Sequence, residues 1–383
     1  MNDFPKEEFA NRVSKIQENL EKENIEAIIV TSPSNFRYFS GLDSNFWESP
    51  TRPWFLIISK NDPIKAIIPS IGIAPIEKTF IKNIEVWQSP NPKDEGVSLL
   101  KNIIKSFPKN SNIGFELANE THLRMSIQDY IKIQKELSDY NFVDASKVIW
   151  NLRKIKSKIE VEYISKICSI ASKVFDNFPD KIYSKITERE ATSIFKKELI
   201  NNGVDYIMYM ACASGQGGYD QIITNPSKKK LENGDILIID TGSTINGYFC
   251  DFDRNFGFGK INQTSLDAYT KLWEAIESTL EIIKPGINCS EIYSSLSKYL
   301  LPDNNNNDSV GRMGHGLGLQ LTEPPSIMQN DQTIIEKNMI ITLEPSIELS
   351  KNVMLVQEEN ILITENGFKL LSTRTPEKLP IID

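Results

Sequence analysis

The sequence predicts an α/β chain of two domains, residues 1–150 and 151–383. Three observations carry this. At 383 residues the chain exceeds what one ordinary core organises. The first 150 residues alternate helical and strand-like segments, enough to close a core of their own. From residue 151 the order becomes helix, helix, strands, and then the same again. That predicts an α+β domain of two similar halves around one central sheet.

In order, residues 6–22 have helical periodicity. Residues 27–31 (AIIVT), 54–59 (WFLIIS) and 65–70 (KAIIPS) are short apolar runs between turn residues, as buried strands are. A helical stretch follows at about 123–137, then strand-like NFVDA at 141–145. The character changes between Trp150 and Lys158, where a long amphipathic helix begins. Ser157 and Glu160 have capping-box spacing, and Ile159, Tyr163, Ile167, Ile170 and Val174 form an apolar stripe. Thr187 with Glu190 caps a second helix ending near Gly203, and strands run through 240 and 250. A helix from about Thr264 stops at Pro285-Gly286, another starts near Ser290, and strands return near 339 and 354.

Composition narrows the function classes. With 40% hydrophobic and 25% charged residues the chain reads as a globular protein. A net charge of −8 argues against nucleic acid or an anionic membrane as the main partner. No apolar run approaches the ~20 residues of a membrane helix. The opening MNDFPKEEFANR has no apolar core of a signal peptide, so a cytoplasmic location is expected. Cys168, Cys212, Cys250 and Cys289 lie far apart without C-x-x-C spacing, which predicts buried free thiols.

The chemistry concentrates in the second domain. In DILIIDTGSTINGYFCDFDR, Asn246-Gly247 between strand-like runs signals a two-residue type I′ hairpin. Ile245 then pairs with Tyr248, which puts Asp240 opposite Asp253 and diagonal to Asp251. Three carboxylates on one face repel one another and are costly to desolvate; bound cations remove that cost. His315 lies in a loop spaced by Gly311, Gly314, Gly316 and Gly318, and glycines allow close backbone approach. Glu344 ends the strand-like MIITLEP, and Glu358 lies in MLVQEENILI. Asp240, Asp251, His315, Glu344 and Glu358 together make an oxygen-rich set suited to two divalent metals and to hydrolysis.

At these motifs (IIDTG, YFCDFDR, RMGHGLGLQLTEPP, ITLEPS and LVQEENILIT) the chain resembles the pita-bread superfamily of methionine aminopeptidase, Xaa-Pro aminopeptidase, prolidase and creatinase. The likeness spans nearly the whole length. NLRKIKSKIEVEY resembles the start of the pita-bread catalytic domain, and SPSNFRYFSGL the creatinase-type N-terminal domain. The resemblance implies that Asp240 chelates one metal, Asp251 and Glu358 bridge both, and His315 and Glu344 hold the second. Glu344 would also shuttle a proton. Manganese, cobalt or iron suits this set better than zinc, which remains admissible. A homodimer is implied as well. Creatinase itself lacks the metal set, which separates this chain from that branch.

Departures are as informative. Family peptidases carry a histidine before the glutamate of the second motif; here Thr322 precedes Glu323. Near the upstream Pro-Ser step, Ile223 or a neighbour stands where they carry another histidine. Val356 and Gln357 stand in place of an arginine before the last ligand. Asp253 is a candidate general base, or orients Asp240. Glu323, Tyr219 and Asp220 are further candidates for proton transfer or substrate contact. In NFWESPTRPWFLII, Trp47, Arg52 and Trp54 are candidate substrate contacts, the aromatics for a cation and Arg52 for a carboxylate.

The expected activity is dinuclear metal-dependent hydrolysis of a small amide or dipeptide. The alternative on the same scaffold is a lyase acting on a small zwitterion such as dimethylsulfoniopropionate, with Asp253 removing the α-proton. The complete ligand set disfavours a third reading, a binding module without catalysis.

Overall fold

A computed structural model describes residues 4–49, 52–300 and 311–382. Contacts divide it into two compact units, Met1–Arg153 and Lys154–Asp383.

The first unit runs α1 (Lys6–Lys22), β1 (Ala27–Val30), α2 (Pro33–Ser40), β2 (Phe55–Ser59), β3 (Lys65–Pro69) and α3 (Ile73–Glu77). It continues with β4 (Asn83–Trp87), α4 (Val97–Ser106), β5 (Asn112–Phe115), α5 (Ile127–Glu136), β6 (Asn141–Asp144) and α6 (Ser146–Arg153). The strands form one mixed sheet in the order β4-β3-β2-β1-β5-β6. Residues of β1 and β2 are buried on both faces, which is why those segments are continuously apolar. Ala27, Ile29, Phe55 and Phe115 pack with Leu100, Ile104 and Ile133 from α4 and α5. Ser32 caps α2, and Gly41 ends it in the left-handed region. Buried Glu116 accepts hydrogen bonds from Thr31 N at 2.6 Å and Asn35 Nδ2 at 2.6 Å, fastening this turn to the end of β5.

The second unit begins with α7 (Lys158–Asp176) and α8 (Glu188–Asn201), each opened by a complete capping box, at Ser157/Glu160 and Thr187/Glu190. Then come β7 (Tyr206–Gln216), β8 (Asp235–Ile245), β9 (Tyr248–Phe249) and β10 (Phe252–Phe258). A second helix pair follows, α9 (Gln263–Leu280) and α10 (Cys289–Leu300). The remaining strands are β11 (His315–Gly316), β12 (Glu323–Ser326), β13 (Ile340–Leu343), β14 (Ser346–Ser350), β15 (Val353–Val356), β16 (Glu359–Ile363), β17 (Phe368–Leu370) and β18 (Ile381–Ile382). The repeated order of helix pair and strands is present. The single central sheet is not. The larger sheets are two separately hydrogen-bonded ones, β18-β10-β8-β7 and β12-β11-β13-β16-β17.

The stripe expected on α7 is also displaced. Ile164, Ile167, Cys168, Ala171, Val174 and Phe175 are buried, together with Glu160, while Ile159, Tyr163 and Ile170 are partly exposed. The buried face rotates because Glu160 belongs to it. Its carboxylate accepts both the Ser157 N–H at 2.9 Å and the Tyr248 hydroxyl at 3.0 Å. The four cysteines are free and buried, as expected. Among the described residues no helix is long and apolar enough to cross a membrane.

Candidate metal centre

The hairpin between β8 and β9 sets the first half of the site. Asn246 and Gly247 have φ of 51° and 78°, the left-handed pair that a type I′ turn needs. Ile245 pairs with Tyr248, and the register carries on through β10 so that Asp253 lies across from Asp240. Asp251 occupies the gap between β9 and β10, where its own backbone is held by Asn360. The Asp251 N–H donates to Asn360 Oδ1 at 3.0 Å, and Asn360 Nδ2 donates to the Asp251 carbonyl. Asn360 sits on β16, so one buried amide joins the two sheets beside Asp251.

The second half comes from β11 and its neighbours. At Gly314 φ is 151°, and an added Cβ would lie 2.2 Å from the Thr342 carbonyl oxygen. Only glycine fits there, and the close approach seats the next residue, His315, against β13. His315 Nδ1 lies 2.8 Å from the Gly316 carbonyl. A carbonyl only accepts, so Nδ1 carries the proton and Nε2 of the neutral ring turns its lone pair to the carboxylates. Nε2 is 3.4 Å from Asp251 Oδ2 and 3.7 Å from Glu344 Oε1. Ligand atoms of Asp251, His315 and Glu358 lie within 4.8 Å of one another.

Two buried oxygens give this cluster its chemical meaning. Asp240 Oδ1 and Glu358 Oε1 have no hydrogen-bond partner among the described residues. Burial pushes the carboxyls of Asp240, Asp251 and Glu358 far above their usual range, and mutual repulsion adds to this at Asp240 and Glu358. Burial likewise raises Glu344 to about 7, while His315 and Arg312 oppose it. Asp253 is buried and raised, by desolvation first and by Asp240 next; its Oδ1 is 3.4 Å from Asn255 Nδ2. Sealed anionic oxygens without partners are costly, and divalent cations supply the missing charge. The donor set, four carboxylates and one imidazole nitrogen, fits that role.

Other expected site residues separate. Glu323 is 1% exposed and takes Lys156 Nζ at 3.1 Å and the Gln320 N–H at 3.2 Å. This sealed ion pair removes it from proton transfer. Tyr219 is also a core residue: its hydroxyl donates to Asn255 Oδ1 at 3.0 Å and accepts the Val356 N–H at 2.7 Å. That leaves no group to reach a substrate. Asp220 beside it is exposed. Trp54 is 1% exposed and packs edge-to-face with Phe36 and at a tilt against Trp47 in the core of the first unit, so it offers no open aromatic face. Trp47 and Arg52 remain partly exposed. Their loop is held by Arg124, whose guanidinium lies over the Trp47 ring and donates to the carbonyls of Trp47 and Arg52.

Four residues at the centre were not singled out by sequence. Asn360 clamps Asp251. Arg254 donates to the Glu358 carbonyl at 2.8 Å and to Glu359 Oε2 at 3.0 Å, fixing the chain that presents Glu358. Tyr209 places its hydroxyl between the Asp240 carboxylate and the Ile222 carbonyl, 3.1 Å away. Arg312 lies 3.5 Å from Glu344 Oε1 and donates to Thr322 Oγ1 at 3.1 Å. For Arg312 a signal existed, since it lies three residues before His315 in the glycine-spaced motif. The other three depend on partners remote in sequence.

Comparison with known proteins assigns the family. Residues 162–365 match the model of metallopeptidase family M24, and residues 12–155 match the creatinase/prolidase N-terminal domain. An Xaa-Pro dipeptidase of Pyrococcus furiosus is 28% identical over 379 residues, covering 96% of this chain and 99% of that protein. Among solved structures, a prolidase from Thermococcus sibiricus superposes with a TM-score of 0.86 at 25% identity, covering 97% of this chain and 99% of that one. The prolidase from Pyrococcus horikoshii gives 0.81 at 26% identity, covering 96% and 100%. The chain is a metal-dependent, peptidase-like hydrolase with a pita-bread catalytic domain, and it belongs to metallopeptidase family M24.

Proposed function

We propose that this chain is a metal-dependent dipeptidase of the Xaa-Pro type. The observation that carries this is the pair of sealed oxygens, Asp240 Oδ1 and Glu358 Oε1, without hydrogen-bond partners among the described residues, in the cluster with Asp251 and His315. In this reading Asp240, Asp251, His315, Glu344 and Glu358 hold two divalent cations, with manganese, cobalt or iron preferred. When bound, such a pair lowers the pKa of water and offsets charge gathering on the scissile carbonyl oxygen.

The side chains do the rest. His315, its Nδ1 proton fixed on the Gly316 carbonyl, offers a neutral nitrogen in one orientation. Glu344 takes the proton of the attacking water on its carboxylate and returns it to the leaving nitrogen. Asp253, across from Asp240, restrains that strand and keeps Asp240 facing the cluster. A free dipeptide, a homodimer and a cytoplasmic location belong to the same reading. The relatives named as Xaa-Pro dipeptidases support hydrolysis, and elimination from a zwitterion draws no support from them.

The test offers Ala-Pro to metal-free and manganese-loaded protein and follows proline release by chromatography. Turnover is expected only with metal, is lost on chelation, and falls roughly 100- to 10,000-fold in Glu344→Ala. Release of dimethyl sulfide from dimethylsulfoniopropionate, with Ala-Pro left intact, rejects the reading.

A further inference from the structure

We infer that Arg374 is a positioning residue of the metal centre: through Glu359 and Arg254 it fixes the chain that presents Glu358, and so governs how firmly the centre holds divalent cations. The inference rests on the metal-binding part of the reading above and adds a residue outside the ligand set.

The ladder between β13 and β16 ends on the pair Leu343 and Glu359. The next residues outward are Glu344 and Glu358, two of the expected ligands. Past the ladder, the chain at Glu358 is held by its carbonyl, which accepts Arg254 Nη1 at 2.8 Å. Arg254 is in turn held by Glu359, whose fully buried side chain accepts Arg254 Nη2 on Oε2 at 3.0 Å. The other oxygen, Oε1, accepts Arg374 Nη1 at 3.1 Å and the Thr375 N–H at 2.7 Å. One carboxylate thus joins the arginine behind Glu358 to an arginine of the C-terminal segment.

Every edge of the Arg374 guanidinium is engaged. Nε donates to Glu277 Oε1 at 2.7 Å, Nη2 donates to the Trp273 carbonyl at 2.9 Å, and the group lies 5.1 Å from the centre of the Trp273 ring. Both residues are on α9, so Arg374 fastens Glu359 to a helix. Side-chain exposure rises outward, from 0% at Glu359 to 15% at Arg374 and 40% at Glu277. The same segment reaches the other clamp of the centre. The Leu371 N–H donates to the Asn360 carbonyl at 2.9 Å, and the Ser372 hydroxyl accepts the Asn360 N–H at 3.1 Å while donating to Glu359 Oε2. Thr373 gives its carbonyl to Arg254. Residues 371–375 therefore brace both Glu359 and Asn360, the residue that holds Asp251. Buried ion pairs add little net stability over apolar packing of the same volume, so the return on this one is direction. A planar fork bound on three sides leaves Glu359 little room to turn.

The experiment titrates manganese(II) chloride by calorimetry into protein freed of metal by chelation, well below its melting temperature. Wild type is compared with Arg374→Ala, Arg374→Lys, Glu277→Gln and Thr187→Ala, the last of which loosens only the cap of α8. Melting curves of the metal-free proteins accompany each titration. Arg374→Ala should bind manganese roughly 10-fold more weakly, the low end of what outer partners of metal ligands contribute. Arg374→Lys should recover part of that loss, since its ammonium still meets Glu359. Glu277→Gln keeps an acceptor for Nε, and it and Thr187→Ala should bind as wild type does even where melting temperature falls. Wild-type affinity in Arg374→Ala, or an equal loss in Thr187→Ala, makes the role merely structural and overturns the inference. Should Arg374→Ala not fold, Arg374→Lys decides: weaker binding than wild type supports the inference, and equal binding overturns it. A wild type that binds no manganese sinks the metal-centre reading itself.

Discussion

Asn360 is fully buried, and both ends of its amide are spent on the Asp251 backbone. Replacing it with alanine strands a buried N–H and a buried carbonyl, so Asn360→Ala should cost about 1–3 kcal/mol in denaturant melts of the metal-free protein. Manganese affinity by calorimetry should fall roughly 10- to 100-fold, because Asp251 loses its support. Unchanged affinity would show that the carboxylate is placed by other means. At this scale the sequence was uneven. The structure brings ligand atoms of Asp251, His315 and Glu358 within 4.8 Å of one another, and these three, with Asp240 and Glu344, were singled out because each carries its own local motif. Asn360 and Arg254 were not, since an asparagine or arginine gains meaning only from a partner about a hundred residues away. Glu323 misled for the converse reason: beside an expected catalytic position it looked active, and nothing local shows that Lys156 neutralises it.

Helix starts and the hairpin were the most legible elements, because their signals span only three or four residues. Both capping boxes and the pairing of Asp240 with Asp253 follow from such short patterns. Long-range surroundings were less legible. The face of α7 turned because Glu160 is buried to meet Tyr248, and a hydrophobic stripe cannot report a polar residue that has found a partner. Glu160 thus supports the N-terminus of α7 and the β9 strand at once. Ser157→Ala removes only the cap and should cost about 1 kcal/mol in chemical denaturation. Glu160→Ala should cost more than Ser157→Ala, since it also leaves the buried Tyr248 hydroxyl without its acceptor.

For the molecule as a whole, the domain order and the repeated helix pairs were readable, but the division of the second unit into two sheets was not. Alternation of apolar residues reports a buried strand and is silent about which strands share hydrogen bonds. The packed acids also set how stability answers to pH. Asp240, Asp251, Asp253 and Glu358 are held above their ordinary range, so the folded, metal-free protein binds more protons than the unfolded chain. Their stabilising contribution is full below about pH 4 and is lost as pH rises through the folded values. Glu359 runs the other way: Arg254, Arg374 and Ser372 outweigh the burial that would raise it, so its contribution is already complete above about pH 5. Metal-free protein should therefore lose melting temperature between pH 5 and pH 8, and saturating manganese should flatten that slope. Thermal melts at both pH values, with and without the ion, decide the matter; a pH-independent increment would mean that the acids are not where the ion binds.

The amide of Asn360 joins two sheets beside an aspartate of the centre, while Asp240 stands on one sheet and the residue preceding β16 supplies Glu358 at the other. On the proposed ligand set, bound ions would tie together the same two layers that Asn360 joins, so ion binding and the packing of the layers would be linked. A substitution far from the ligands that loosens either layer should show up first as a weaker metalloprotein, before it is visible as a misfolded one.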